Sequence, residues 1–286
     1  MHPTLFTLEF GSTQIPLNTF GLCGALGILF GSWLATFLAK KNGFGADEAL
    51  DVVLVQIAGT VIGSKALQLV AEWDHYQHNP ASIFSLREIG VFYGGLIGAA
   101  VFVVIRCRMK GWDPWKAGDV LVPAFALAHG FARLGCHMAG CCYGKPTDHG
   151  WGVHFPPESV AYKTLIRIDP NLIQDGHTVG LIPTQITEAL FEFSMAGVLV
   201  ALFFFALRSD KLRSGWMVIF WVTPYALFRF AIETVRFDPE RGTVFGLLST
   251  SQFIGIVLLV LCAVGARHLL THPEEASPPP SDDDNA

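Results

Sequence analysis

Lys65, Arg133, Glu188, Glu192, Arg229, Glu233 and Arg236 all fall inside long apolar runs or at their ends. Charge is expensive in the hydrocarbon of a bilayer, so an ionisable group there is a functional-site hypothesis by default. Arg229 and Glu233 are four residues apart and Arg236 is three further on, which places all three on one helical face. The plain alternative is an ion-pair network that ties helices together. Three arginines, however, exceed what Glu188 and Glu233 need. A surplus guanidinium near a headgroup layer suits an anionic ligand, because its planar fork grips phosphate through two bonds. An anionic phospholipid is the expected ligand. His129 precedes Arg133 by four residues, one helical turn deeper, and reads either as a hydrogen-bonded structural histidine or as a base.

A second cluster is Cys136-His137 followed by Cys141-Cys142. Three chemical readings stand side by side. One is a disulfide between Cys136 and Cys141 or Cys142, because the outer compartment is oxidising. Another is a metal site completed by His137, His149 or His154. The last is a thiol relay in which a thiolate takes up the transferred group first. Plain packing or helix capping remains beside them. Cys23, Cys107 and Cys262 sit in or beside apolar runs and read as small packing residues.

These residues are carried by apolar segments at about 19–39, 50–71, 90–105, 117–139, 184–207, 215–235 and 247–266, each long enough to span or nearly span a bilayer. The chain of 286 residues is 51% hydrophobic and only 15% charged, against about 25% charged in soluble domains. The predicted fold is therefore all-α, a polytopic integral membrane protein of about seven transmembrane helices. Glycine recurs in the first and third spans (Gly21, Gly24, Gly27, Gly31; Gly94, Gly95, Gly98), where small residues let helices approach closely. Paired glycines at Phe92-Tyr93-Gly94-Gly95-Leu96-Ile97-Gly98 also open a helix start that favours anions. Basic residues mark alternate connections: Lys40 and Lys41; Arg106, Arg108, Lys110 and Lys116; Arg208, Lys211 and Arg213; Arg267. The positive-inside rule makes that side cytoplasmic, with the amino terminus outside and the carboxyl terminus inside.

Met1 to Asn18 lacks a basic segment and is broken by Glu9 and Gln14, so no cleaved signal peptide is expected. Residues 1–270 read as one membrane-embedded domain. Within it, 140–183 forms an outward loop or head, long enough to carry structure of its own. Residues 271–286, rich in Pro, Ser and Asp, read as a disordered acidic cytoplasmic tail. There is no basic patch interleaved with aromatics and no glycine-rich nucleotide loop, which excludes nucleic acid. No internal repeat or midplane helix break suggests a transporter.

The order of motifs resembles the prolipoprotein diacylglyceryl transferase family. Tyr93-Gly94-Gly95-Leu96-Ile97-Gly98 is similar to its His-Gly-Gly-Leu-Ile-Gly. Ala132-Arg133-Leu134-Gly135-Cys136 through Cys141-Cys142-Tyr143-Gly144 is similar to its Gly-Arg-x-Gly-Asn signature with a following Glu and Gly. Ile182-Pro183-Thr184-Gln185 with Glu188, Tyr225-Ala226-Leu227-Phe228-Arg229 with Glu233 and Arg236, and Ser249 to Gln252 match later motifs in order. The match covers about residues 15–266.

The resemblance implies transfer of a diacylglyceryl group from phosphatidylglycerol to the lipobox cysteine of a prolipoprotein signal peptide. It implies an inner-membrane enzyme, a monomer, with its site facing the periplasm. It needs no cofactor and no metal. Arg133 and Arg229 would hold the lipid phosphate, Glu233 would orient Arg229, and Arg236 would add charge. Gly94, Gly95, Gly98 and Gly144 would be close-approach or hinge positions, the first three in the phosphate site. The family's base histidine is Tyr93 here, its asparagine is Cys136 and its acidic residue is Cys141. A phenol, ordinarily ionising near about 10, is a poor base at neutral pH unless a neighbour shifts it. His129 could supply the missing imidazole in space. Two further readings stay open: a related transferase with a changed acceptor, and a metal or redox protein built on the Cys136–Cys142 cluster.

Overall fold

The computed structural model describes residues 3–10, 13–43, 45–80, 82, 91–209, 214–237, 243–244 and 248–271. Seven helices are long and apolar enough to cross a membrane, and the protein is a multi-pass membrane protein. They are α1 (Thr19–Lys41), α2 (Ala46–Ala71), α4 (Phe92–Lys110), α5 (Pro114–Ala139), α7 (Thr184–Ser209), α8 (Trp216–Glu233) and α9 (Thr250–Thr271). Two short helices, α3 (Trp73–His78) and α6 (Val160–Ile168), lie between them. The spans expected from hydropathy agree within a few residues. The amino-terminal segment before α1 is an antiparallel hairpin, β1 (Thr4–Phe10) with β2 (Thr13–Asn18), which hydropathy alone does not reveal. Lys211, Arg213 and the tail from 272 lie outside the described residues, as does the side chain of Arg208.

Local chemistry sets the helix ends that matter. Asp113 caps α5, its Oδ1 accepting from the Trp115 N–H at 2.9 Å, with Pro114 in the first turn; a proline there gives up an N–H that has no helical partner anyway. Gly140 closes α5 in the left-handed region at φ 74, where glycine escapes the Cβ penalty. Ser249 and Gln252 cap α9 reciprocally, each side chain meeting the other's N–H at 3.1–3.2 Å. The late Ser-to-Gln motif is thus a capping box. Asp119, which hydropathy reading leaves unremarked, is buried and accepts from the Gly215 and Met217 N–H groups at 2.7 and 3.0 Å. It satisfies the donors at the start of α8 from across the bundle.

The bundle packs in pairs, α1 on α5 and α2 on α4. The second pair is almost backbone to backbone: a Cβ added at Gly98 would stand 2.2 Å from the Gly59 carbonyl oxygen, and one at Gly94 would stand 2.4 Å from that of Gly63. Gly95 likewise faces Thr60. The Cα faces of Gly94, Gly95 and Gly98 thus serve helix packing, and α2 covers them.

The 140–183 segment has its own small core of Tyr143, Phe155, Ala161, Leu165 and Leu181. It contains α6 and a hairpin of β3 (Ile173–Gln174) and β4 (His177–Thr178). It is anchored where three chain segments cross at Gly144. The Gly144 N–H donates to the Ile182 carbonyl, the Lys145 N–H to that of Val235, and the Phe237 N–H to that of Tyr143, at 2.8–3.2 Å. A Cβ on Gly144 would lie 2.7–2.9 Å from Ile182 and Val235, so only glycine fits. This crossing ties the end of α5 to the start of α7 and the end of α8.

Candidate active site at the head end of the bundle

Each of those three helices presents a stripe at four-residue spacing: His129 and Arg133 on α5, Glu188 and Glu192 on α7, and Trp221, Tyr225, Arg229 and Glu233 on α8. Side chains so spaced stack on one helical face, and the stripes meet in two layers. In the deeper layer Glu192 accepts from His129 Nδ1 at 2.9 Å and from the Trp221 indole at 3.0 Å. Phe92 of α4 stacks on the His129 ring at 5.0 Å, Phe125 lies beside it, and Tyr225 meets its edge at 5.7 Å.

Glu188 is the hub of the upper layer. It faces Arg236 Nη1 at 3.0 Å and Arg229 Nη1 at 3.3 Å through one oxygen, and Arg133 Nε at 3.1 Å through the other. The Arg133 N–H points instead at His129 Nε2, 3.1 Å away, so its attraction to Glu188 is Coulombic rather than a hydrogen bond. Arg229 also pairs with Glu233 at 2.8 Å and reaches Ser251 of α9 at 3.4 Å. Glu188, Arg229 and Arg133 are all buried; three guanidiniums face two carboxylates in this layer, and Glu192, one layer deeper behind His129, supplies the third.

The arginines differ in what they have left. Arg229 and Arg236 spend theirs on carboxylates. Arg133 commits only Nε: among the described residues neither of its Nη groups makes a hydrogen bond, and its guanidinium lies 5.7 Å from the Phe92 ring centroid. The Tyr225 hydroxyl is buried without a hydrogen-bond partner among the described residues, and sequence reasoning passed it over. Tyr93 is half-buried at the start of α4, its ring edge-on to Phe92 at 5.6 Å. Lys65 hydrogen-bonds Gln68 on its own helix at 3.4 Å.

The cysteines converge above Arg133. Cys136 ends α5, Gly140 turns the chain, and Cys142 takes a left-handed φ of 61. The three sulfurs then lie within 4.8 Å of one another, and all are recorded as free thiols. The turn is clamped from α7. Thr184 Oγ1 donates to the Cys142 carbonyl and Gln185 Nε2 to that of Cys141, both at 2.7 Å. That gives the Pro-Thr-Gln motif its local role. Contact with the Cys136 and Cys141 sulfurs, with help from the Arg236 and Arg133 guanidiniums, holds the Cys142 thiol below the ordinary thiol value. The same sulfur contacts push Cys141 up, and its S–H donates to the Cys136 carbonyl at 3.7 Å. The histidines expected to complete a metal site do not join: His137 faces Phe155, His149 stacks on Trp151, and His154 Nδ1 bonds the Thr178 carbonyl at 2.8 Å. A relay is excluded on chemical grounds, since a cysteine that took an alkyl group would hold it as a thioether, which no second thiol displaces.

Between the α1–α5 and α2–α4 pairs runs a cavity of about 330 Å³. Its walls are nearly all apolar, from Ala35 and Val53 at one end to Phe92, His129 and Ala132 at the other. Its His129 wall is the ring whose Nε2 accepts from Arg133, so an apolar slot ends one side chain away from that guanidinium.

The model of a family described as prolipoprotein diacylglyceryl transferase matches residues 5–267 of this chain. The phosphatidylglycerol–prolipoprotein diacylglyceryl transferase of Clostridium tetani (strain Massachusetts / E88) is 36% identical over 261 residues, 91% of this chain and 95% of that protein. The second such transferase of Clostridium perfringens (strain 13 / Type A) is 32% identical over 249 residues, 86% of this chain and 88% of that one. That of Bacillus anthracis is 29% identical over 252 residues, 87% and 86%. The motif order, the seven spans and these matches agree: the chain belongs to the prolipoprotein diacylglyceryl transferase family.

Proposed function

We propose that this protein moves a diacylglyceryl group from phosphatidylglycerol to a cysteine thiol of an exported prolipoprotein, acting as a monomer in the bacterial inner membrane with its site on the periplasmic side. The relatives' names supply the two substrates. The observation that carries the reading here is the apolar cavity walled by His129, the partner of Arg133, whose Nη groups make no hydrogen bond among the described residues. A phosphate-bearing lipid fits that pairing, its tail in the slot and its phosphate on the guanidinium fork. In the reaction the acceptor sulfur attacks the glyceryl carbon that bears the phosphate. The S–C bond forms, the C–O bond breaks, and glycerol phosphate leaves as an anion. The site must stabilise charge at the phosphate and take the thiol proton. Arg133 and the Tyr225 hydroxyl serve the first task. Arg229, Arg236, Glu188 and Glu233 fix the frame around them. The direct test is expression in a strain depleted of its own diacylglyceryl transferase. Restored growth and the lipoprotein gel shift are expected; a correctly inserted protein that restores neither ends this reading.

We place the thiol proton on Tyr93, the residue in the family histidine's position, acting as its phenolate, rather than on His129. His129 donates through Nδ1 to Glu192 and accepts at Nε2 from Arg133, so its lone pair is taken and the ring acts as a positioning group for Arg133. Tyr93→Phe should lower the transfer rate most at neutral pH and recover at high pH, where the acceptor thiol, with its ordinary value of about 8.5, ionises unaided. His129→Gln should lower the rate evenly across pH. The pH–rate profiles of the two variants in membranes decide the assignment, and a flat deficit in Tyr93→Phe would remove it from the proton's path.

The hairpin and head face out and the tail lies inside, because the basic residues at the ends of α1 and α4 (Lys40, Lys41, Arg106, Arg108, Lys110) belong on the cytoplasmic side. A carboxyl-terminal tag should resist protease in intact spheroplasts and be cut after lysis. Cleavage before lysis would invert the topology.

A further inference from the structure

We infer that Cys136, Cys141 and Cys142 form a binding centre for one soft d10 metal ion, Cu(I) or Zn(II), held by three thiolates. The inference goes beyond the transfer reaction and does not depend on it. Three independent features converge. First, the sulfurs lie within 4.8 Å of one another. With metal–sulfur bonds of about 2.3 Å, the ligands of a trigonal site stand about 4 Å apart, so small side-chain rotations close the set. Second, the turn that gathers them is held in an unusual conformation. Cys142 has a φ of 61 though it is not glycine, and such a conformation persists only where its surroundings impose it. Here both carbonyls of the turn are clamped, by Thr184 and Gln185, side chains that are themselves buried. Gly140 admits no substitute at the corner, since a Cβ there would lie 2.7 Å from Ser159. Third, the charges match. Loading Zn(II) displaces to solvent the protons the thiols still carry and leaves a complex of net charge −1. The Arg236 and Arg133 guanidiniums face Cys142 and supply the countercharge. A disulfide would use two sulfurs and leave the third without a task. Soft thiolate sets select Cu(I) and Zn(II) among common metals, and with no histidine among the described residues joining the set, the three sulfurs make up the first shell.

The test uses the full-length protein, purified in detergent under reducing, chelating conditions, desalted, and titrated separately with zinc chloride and with Cu(I) under a soluble competitor. One equivalent of either ion retained after desalting is expected, with a raised melting temperature by mass action; whichever arm binds against the stronger competitor identifies the ion. Cys136→Ser, Cys141→Ser and Cys142→Ser should each lose it, while Cys262→Ser, in α9, should keep it. X-ray absorption on the loaded wild type guards against variants that fail to fold: a shell of three sulfurs at about 2.3 Å is expected. No retained metal, equal retention by the triple serine variant, a nitrogen- or oxygen-dominated shell, or an intact mass showing two of the three sulfurs joined without metal would each overturn the centre. None of these readouts depends on diacylglyceryl transfer, so failure here leaves that reading standing.

Discussion

Glu188→Gln is expected to be the most damaging single-atom exchange in the protein. The side chain keeps its size but loses the charge that faces Arg133, Arg229 and Arg236 at 3.0–3.3 Å, and its new amide sets donors against donors. Glu233 still faces Arg229 and Arg236, but Arg133 loses the carboxylate at 3.1 Å. Breaking a buried ion pair by removing one partner costs about 3–5 kcal/mol, because the charge left behind has no water to retreat to. For a chain of this size that corresponds to a fall in apparent melting temperature on the order of 10 °C, with transfer lost alongside. Thermal unfolding in detergent, followed by tryptophan fluorescence, reads it directly. A Glu188→Gln protein that melts with wild type would show that the arginines are held by something other than this carboxylate.

Arg133→Ala should separate activity from stability. Arg133 is joined to the network through Nε alone, so removing it leaves Glu188 still paired with Arg229 and Arg236. The fold should lose little, whereas transfer should fall by about 10²–10³-fold, the scale on which a preorganised donor to a developing anion acts. Arg133→Lys should recover only part of that, since an ammonium is a point charge without the two-pronged fork, and it cannot present an Nε–H to His129. Lipoprotein gel shift against phosphatidylglycerol vesicles measures the rate, and the melting curve serves as the control. Near wild-type transfer by a well-folded Arg133→Ala would end the phosphate role.

The spans were readable because bilayer thickness dictates length and composition, and every expected apolar run returned as a helix. The Arg229–Glu233 pair was readable for the same local reason, four residues on one helix. Arg236 shows where that reasoning ends. Three residues further on, it leaves the helical face: α8 stops at Glu233, the chain turns, and Arg236 bridges to Gly144. Its guanidinium therefore reaches Glu188 at 3.0 Å and stands 3.9 Å from Glu233. Glu192 and His129 were individually visible and Trp221 was not, and their joining depends on the rotation of three separate helices, which no local pattern encodes. The glycines of α4 were visible as close-approach residues, but which helix they approach is set by the position of α2.

The crossing at Gly144 has a consequence for how the protein is made. The chain enters the membrane in sequence order, so α5 arrives carrying Arg133 before α7 has delivered Glu188. α7 in turn waits for Arg229 and Arg236. Until α8 is complete, each charge must linger near the aqueous face instead of settling to its final depth. The backbone knot at Gly144, which needs residues from the ends of α5 and α8 and from just before α7, cannot close any earlier. The site is thus assembled in one late step of membrane insertion, and a nascent chain halted before α8 holds all the charges of α5 and α7 without the geometry to keep them buried.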